Sequence, residues 1–220
     1  MRARMGAVPI DADDLRALLP ELDDATSPEL TGGGTADGLH FPGLELTGDA
    51  TAARFLECVL ADCDVAGVPF DRARLASCLL TDLRSPDWSL VDATLLDVVV
   101  AGGRFGALTA SGAQLTRVAL SGLKVDFLNL RGATLVDVTL TGCSIGELDL
   151  SGADLRDVRL VDCTASSLVL EGARNRAVDL RGAEVGILDG VAGLRGCTIN
   201  AGQLAGWSAG MAAELGIRVG

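Results

Sequence analysis

The chain has 220 residues, 49% of them hydrophobic, enough for one domain with a sizeable core, yet only 3% are aromatic, none is Tyr and 28 are Gly. Such a core is expected to be thin and regular, built from Leu, Val, Ala and Cys. A formal net charge of −12 argues against direct nucleic-acid binding, which needs Lys and Arg at the phosphates, and no run of about 18 apolar residues is present to span a membrane.

The opening MRARMGAVPIDADD lacks the apolar middle of a signal peptide, so a cytoplasmic location is the expectation. DADDLRALLPEL predicts a short helix capped by Asp11 or Asp13, and Ser27-Pro28 and Thr31-Gly32-Gly33-Gly34 read as loop. Residues 1–38 are therefore assigned to an N-terminal extension or cap. Phe41 and Leu46 suggest an early coil, one residue out of phase with the regular repeats that begin at Phe55.

From Phe55 to Val185 an apolar residue recurs at every fifth position without a slip. Of these 27 central positions, 23 are Leu, Ile, Val or Phe; Ser85, Ala110, Ala165 and Asn175 are the exceptions. Neither the helical period of 3.6 nor the strand period of 2 puts residues five apart on one face. A second apolar position lies two residues before each centre, so each unit is a short extended piece followed by a corner. Internal repetition of this kind signals a solenoid.

The number of sides follows from side-chain size. The earlier apolar position reads Ala53, Ala73, Ala93, Ala113, Ala133, Ala153 and Ala173 at intervals of 20. The next side reads Cys58, Cys78, Val98, Val118, Val138, Val158 and Val178, and the other two have their own classes. Like sits on like only if residue i stacks on i+20, which gives four five-residue sides per coil. Gly102, Gly112, Gly122, Gly132, Gly142, Gly152, Gly172 and Gly182 fall at corners, where glycine permits the positive φ of a type II turn or, alternatively, close crowding. Cys58, Cys63, Cys78, Cys143 and Cys163 occupy the small inward position and there is no CxxC, so they read as buried hydrophobes rather than as a redox or zinc site.

After Val185 the phase shifts by one residue at Leu194 and Ile199. The repeat region is placed at 39–199 and a terminal helix at 200–220. Asn200 with Gln203 resembles a capping box, and Gly216 fits a helix end. Leu204, Trp207, Met211 and Leu215 form one helical stripe. This stripe is expected to plug the open end of the solenoid, with Leu204, Trp207 and Met211 as candidate dimer contacts.

The unit A(D/N)LXX, seen in Ala153-Asp154-Leu155-Arg156-Asp157, resembles the pentapeptide-repeat family. The resemblance implies an all-β solenoid: a right-handed quadrilateral parallel β-helix, here with a C-terminal capping α-helix. The in-phase run covers residues 53–185. Some relatives are quinolone-resistance proteins, acidic rod-like dimers that mimic DNA and bind gyrase or topoisomerase IV. That function is one expectation for this chain; most members have no assigned activity, and a rigid interaction scaffold for an unknown protein partner is the main one.

Catalysis is not expected. His40 is the only His and lies outside the regular repeats, and the carboxylates Asp137, Asp149, Asp154 and Asp157 read as solvated charges. No cofactor or metal is implied. Residues 1–50 hold 10 acids and 3 bases, so most of the acid excess precedes the repeats. Residues 51–200, with 19 acids and 14 bases, copy poorly the roughly 20 charges of an equal length of DNA. One corner column does better, with Glu57, Asp97, Asp137 and Asp157 interrupted by Arg117. A second candidate contact spot is the outward Phe127, flanked by Lys124, Asp126 and Asn129. Ser85-Pro86 predicts a local bulge or kink, and Asn175 the approach to the C-terminal cap.

Overall fold

A computed structural model describes residues 11–218. The five-residue period becomes a four-sided parallel β-solenoid in which residue i lies over residue i+20. Leu95 pairs with Leu115, Leu115 with Leu135 and Leu135 with Leu155. The N–H of Thr134 donates to the Ala113 carbonyl and that of Asp154 to the Ala133 carbonyl, each at 2.9 Å. Ala113, Ala133 and Ala153 thus stack on one wall and are fully buried. Short sides suffice because each backbone group finds its partner in the coil above or below rather than within its own strand.

Three of the four corners hold a residue in the left-handed region. The expected glycines Gly102, Gly112, Gly122, Gly132, Gly142, Gly152 and Gly172 have φ between 60° and 70°. Gly182 departs from that expectation. It lacks the positive φ, and a Cβ there would meet the Leu160 carbonyl oxygen at 2.7 Å, so crowding explains it. Where corners are not Gly, Asp predominates: Asp62, Asp82, Asp92, Asp97, Asp137, Asp157 and Asp162 all have positive φ. Asp tolerates this conformation better than most residues.

The fourth corner is built differently. In an early coil it is a left-handed Gly67, φ 71°. From Arg84 onward the chain passes the corner in extended conformation, giving a six-stranded parallel sheet of Arg84–Ser89, Arg104–Thr109, Lys124–Asn129, Ser144–Asp149, Cys163–Val169 and Ala183–Asp189. The change begins at Ser85-Pro86, where the ladder pairs Ser85 with Phe105 and then Asp87 with Ala107, skipping Pro86. Pro86 has no N–H to lose there. The buried Ser85 hydroxyl donates to the Asp87 carbonyl at 2.7 Å, which satisfies the polar central position.

The expectation of a core without rings fails in the first coils. Phe41, Phe55, Phe70, Trp88 and Phe105 form one continuous inner stack, with successive centroids 6.5, 5.3, 5.4 and 5.6 Å apart. Beyond Phe105 the core is aliphatic.

Both ends are covered. At the N-terminal end Asp23–Asp24, Glu29–Leu30 and Thr35–Asp37 pair onto the first coils at offsets shorter than 20, as an irregular starting layer. Helix α1 (Ala12–Leu18) is capped by Asp11, which accepts from the Asp14 N–H. It lies on the outside of a wall, where Leu15 is buried against Val59, Leu79 and Val99. That outward column turns polar at Thr139, Arg159 and Asp179 in later coils. At the other end the one-residue phase shift is seen as Val178 pairing with Cys197. Asn175 donates its side-chain amide to the Gly193 carbonyl in the 3₁₀ turn Val191–Leu194, marking the approach to the cap.

Candidate interaction surfaces

The residues predicted as contacts fall on two separate edges. Lys124, Asp126, Phe127 and Asn129 lie on the single strand Lys124–Asn129, at the extended fourth corner. Lys124 and Asp126 are exposed, whereas Phe127 and Asn129 are half-buried. Phe127 stands between Ala107 and Glu147 in register, so neighbouring coils shield part of its ring. Shallow clefts lie along this corner, and Gly106, Gly146 and Gly186 stand on it at alternate coils, each against a close backbone carbonyl of the preceding coil. A Cβ at these positions would meet the carbonyl oxygens of Pro86, Asp126 and Ser166 at 2.8 Å or less. The glycine recurrence every 40 residues was visible in the sequence; its cause was not.

Glu57, Asp97, Asp137 and Asp157 form a column ten residues, half a coil, away from Phe127, so the two sets do not make one surface. All four are left-handed corner residues, φ 53°–55°. Backbone conformation therefore already favours short polar side chains at three of them, independently of any partner. Arg117, φ 52°, makes a two-pronged pair with Asp97 at 2.6 and 2.7 Å, neutralising the middle of the column.

Residues 133–171 match the family model described as pentapeptide repeats, in eight copies. The same register extends unbroken on both sides of that segment. Over that segment the chain resembles the pentapeptide-repeat family. Solved structures that resemble it include the following two. One is full-length QnrB1, a plasmid-mediated fluoroquinolone resistance protein: 15% identity, 84% of this chain and all of that one covered, TM-score 0.47. The other is HetL, a pentapeptide repeat protein involved in heterocyst differentiation regulation from the cyanobacterium Nostoc sp. strain PCC 7120: 17% identity, 87% and 98% covered, TM-score 0.45. No curated protein sequence matches.

The pentapeptide packing rule accounts for the cysteines. The thiols of Cys63, Cys78, Cys143 and Cys163 donate to carbonyls of the preceding coil at 3.1–3.5 Å, and all are buried. Burial pushes the Cys197 thiol up to about 11. Among the described residues no three His, Cys, Asp or Glu side chains are grouped as metal ligands. One carboxylate departs from the solvated reading: Asp149 is buried. It accepts from the Ser151 N–H at 2.9 Å, from the Ser151 hydroxyl and from Arg131 at 2.8 Å. Burial pushes its carboxyl up, but those three bonds outweigh it and hold the pKa below the ordinary value.

The terminal helix α2 (Ala201–Glu214) has the expected capping box, with Asn200 and Gln203 bonded reciprocally, and ends at the left-handed Gly216. Its stripe divides. Trp207 is buried and donates to the Val185 carbonyl at 3.3 Å, which ties the helix to the last coil. Leu204 is 53% exposed and Leu215 71%, while Met211 is half-buried. Glu214 reaches back to the N–H groups of Val191 and Ala192, tying α2 to the 3₁₀ turn. None of the described helices is long and apolar enough to cross a membrane.

Proposed function

We propose that the protein is a non-enzymatic cytoplasmic scaffold that holds a protein partner on the extended fourth corner. The carrying observation is the continuous six-stranded wall, which presents outward side chains in straight columns and carries a half-buried aromatic, Phe127. A rod whose coils are locked by backbone bonds loses little entropy on binding, so modest contacts suffice for affinity. The exposed Leu204 and half-buried Met211 support self-association through α2.

The alternative, a DNA mimic that binds gyrase or topoisomerase IV and protects against quinolones, has less support. Its acid column follows from corner geometry and is interrupted by the Asp97–Arg117 pair. Photo-crosslinking separates the two readings. A benzophenone side chain at position 127 is expected to capture one partner that the same group at position 57 does not. Capture at 57 alone, together with inhibition of purified gyrase supercoiling, would reverse the assignment.

A further inference from the structure

The irregular starting layer continues the backbone ladder at the N-terminal end but leaves the interior short of volume. Ala36 heads an inward column that runs on as Phe55, Leu75 and Leu95. Ala25 heads another. Its N–H donates to the His40 carbonyl at 2.7 Å, which carries the Asp24–His40 register one residue further and sets Ala25 over Phe41, Leu60 and Leu80. Two alanines thus stand where the next three coils have Phe or Leu. A cavity of about 710 Å³ opens there at the mouth of the solenoid, lined also by Leu30 and Leu39. The opposite end is filled. Trp207 is buried in it, and the Gln203 amide donates to the Leu180 and Ala183 carbonyls at 2.6 and 2.8 Å.

The charges at the mouth divide by direction. Asp23 pairs with Leu39, and the next pair down, His40 with Val59, places Leu39 in the inward column of Cys58, Cys78 and Val98. Asp23 therefore heads a column that is otherwise apolar, and it is exposed on the cavity wall. Asp24 lies in the outward column of Val59, where it bonds the His40 Nδ1 at 2.9 Å. Arg54 also borders the cavity, but it alternates with the buried Ala53 and Phe55, so its guanidinium stands on the outer side. Glu29, on the rim, adds acid rather than base. Among the described residues Asp23 has no ion-pair partner.

We propose that this mouth binds a small organic cation, an ammonium group on an apolar body. Asp23 takes the ammonium, and Ala25, Leu30, Ala36 and Leu39 take the body. A concave, largely apolar site with one placed charge is the usual form of a small-molecule pocket, and the volume lies within the usual range of about 300–1,000 Å³. The site is at the end of the rod, away from the fourth corner, and does not depend on the scaffold reading.

The test titrates 2-phenylethylammonium into the full-length protein and follows amide shifts, with 2-phenylethanol and 3-phenylpropanoate as neutral and anionic controls. The amine alone is expected to move amides of the first two coils, with a dissociation constant on the order of 1 mM for a ligand of this size, weakened by salt. Asp23→Asn is expected to weaken binding about tenfold, the share of a hydrogen bond to a charged group. Asp24→Asn removes the same charge from the outer side and is expected to change little. Ala36→Leu restores the large class of its column. It is expected to hold or raise the melting temperature while abolishing binding, so that loss cannot be put down to misfolding. If that variant does not fold, the two Asn variants and the two control ligands still decide. No binding of the amine, equal binding of 2-phenylethanol, equal loss in the two Asn variants, or full binding to a folded Ala36→Leu would overturn the proposal. So would self-association without amine that Ala36→Leu removes, which would give the mouth to a second copy of the chain.

Discussion

Gly132 has φ 63° and open space where a Cβ would go, whereas Gly146 has no positive φ but would drive a Cβ against the Asp126 carbonyl oxygen. The same substitution thus tests two different causes. Gly132→Ala is expected to cost about 1–2 kcal/mol, the strain of a left-handed Ala. Gly146→Ala is expected to cost about 1–3 kcal/mol through overpacking and also to disturb the fourth corner, visible as changed amide shifts at 126 and 127. Denaturant unfolding of both variants checks the magnitudes. Asp149 carries a pH signature. Its pKa is lowered from the ordinary 3.8, so its contribution is fully present above that value and is lost as the pH falls through the lower folded value. Asp149→Asn is expected to destabilise by about 1–2 kcal/mol at neutral pH and to flatten the stability profile below pH 3.8. An unchanged acid limb would show that Asp149 does not govern it.

At the scale of elements, the two helices do different work. Leu15 seals the outward Val59, Leu79 and Val99. Leu15→Ala is expected to cost about 2 kcal/mol, the low end for a buried Leu, and to raise amide exchange in α1 while the inner coils stay protected. For α2, Trp207→Ala is expected to loosen the plug and lower the melting temperature. Leu204→Glu is expected to leave stability alone and to shift any dimer to monomer in sedimentation velocity. The capping box and the Gly216 stop were legible because they depend on residues within one turn of each other. The docking site of α1 was legible only in part. The apolar outward positions 59, 79, 99 and 119 give way to polar ones at 139, 159 and 179, but nothing in that column says which segment covers it. The inner aromatic stack was hidden by the 3% average, because five of the rings cluster in the first coils.

The whole molecule follows from one circuit length, and this was the most legible feature, since stacking forces each column to keep its side-chain size. The extended fourth corner was not legible, because the shift from a left-handed Gly67 to an extended path at Ser85-Pro86 is a backbone event that leaves the five-residue period intact. The outward direction of the candidate contacts can be read from the period alone, but their division between two edges needs the count of sides carried round the coil. Paired deletions test the circuit most directly, with melting temperature as the readout. Removing residues 113–132 takes out one full coil and rejoins Gly112 to Ala133, so every column keeps its class and a cooperative fold about 4.8 Å shorter is expected. Removing 113–117 takes out one side, turns Val and Leu columns onto Ala columns and is expected to abolish cooperative unfolding. Equal tolerance of both deletions would contradict a 20-residue circuit.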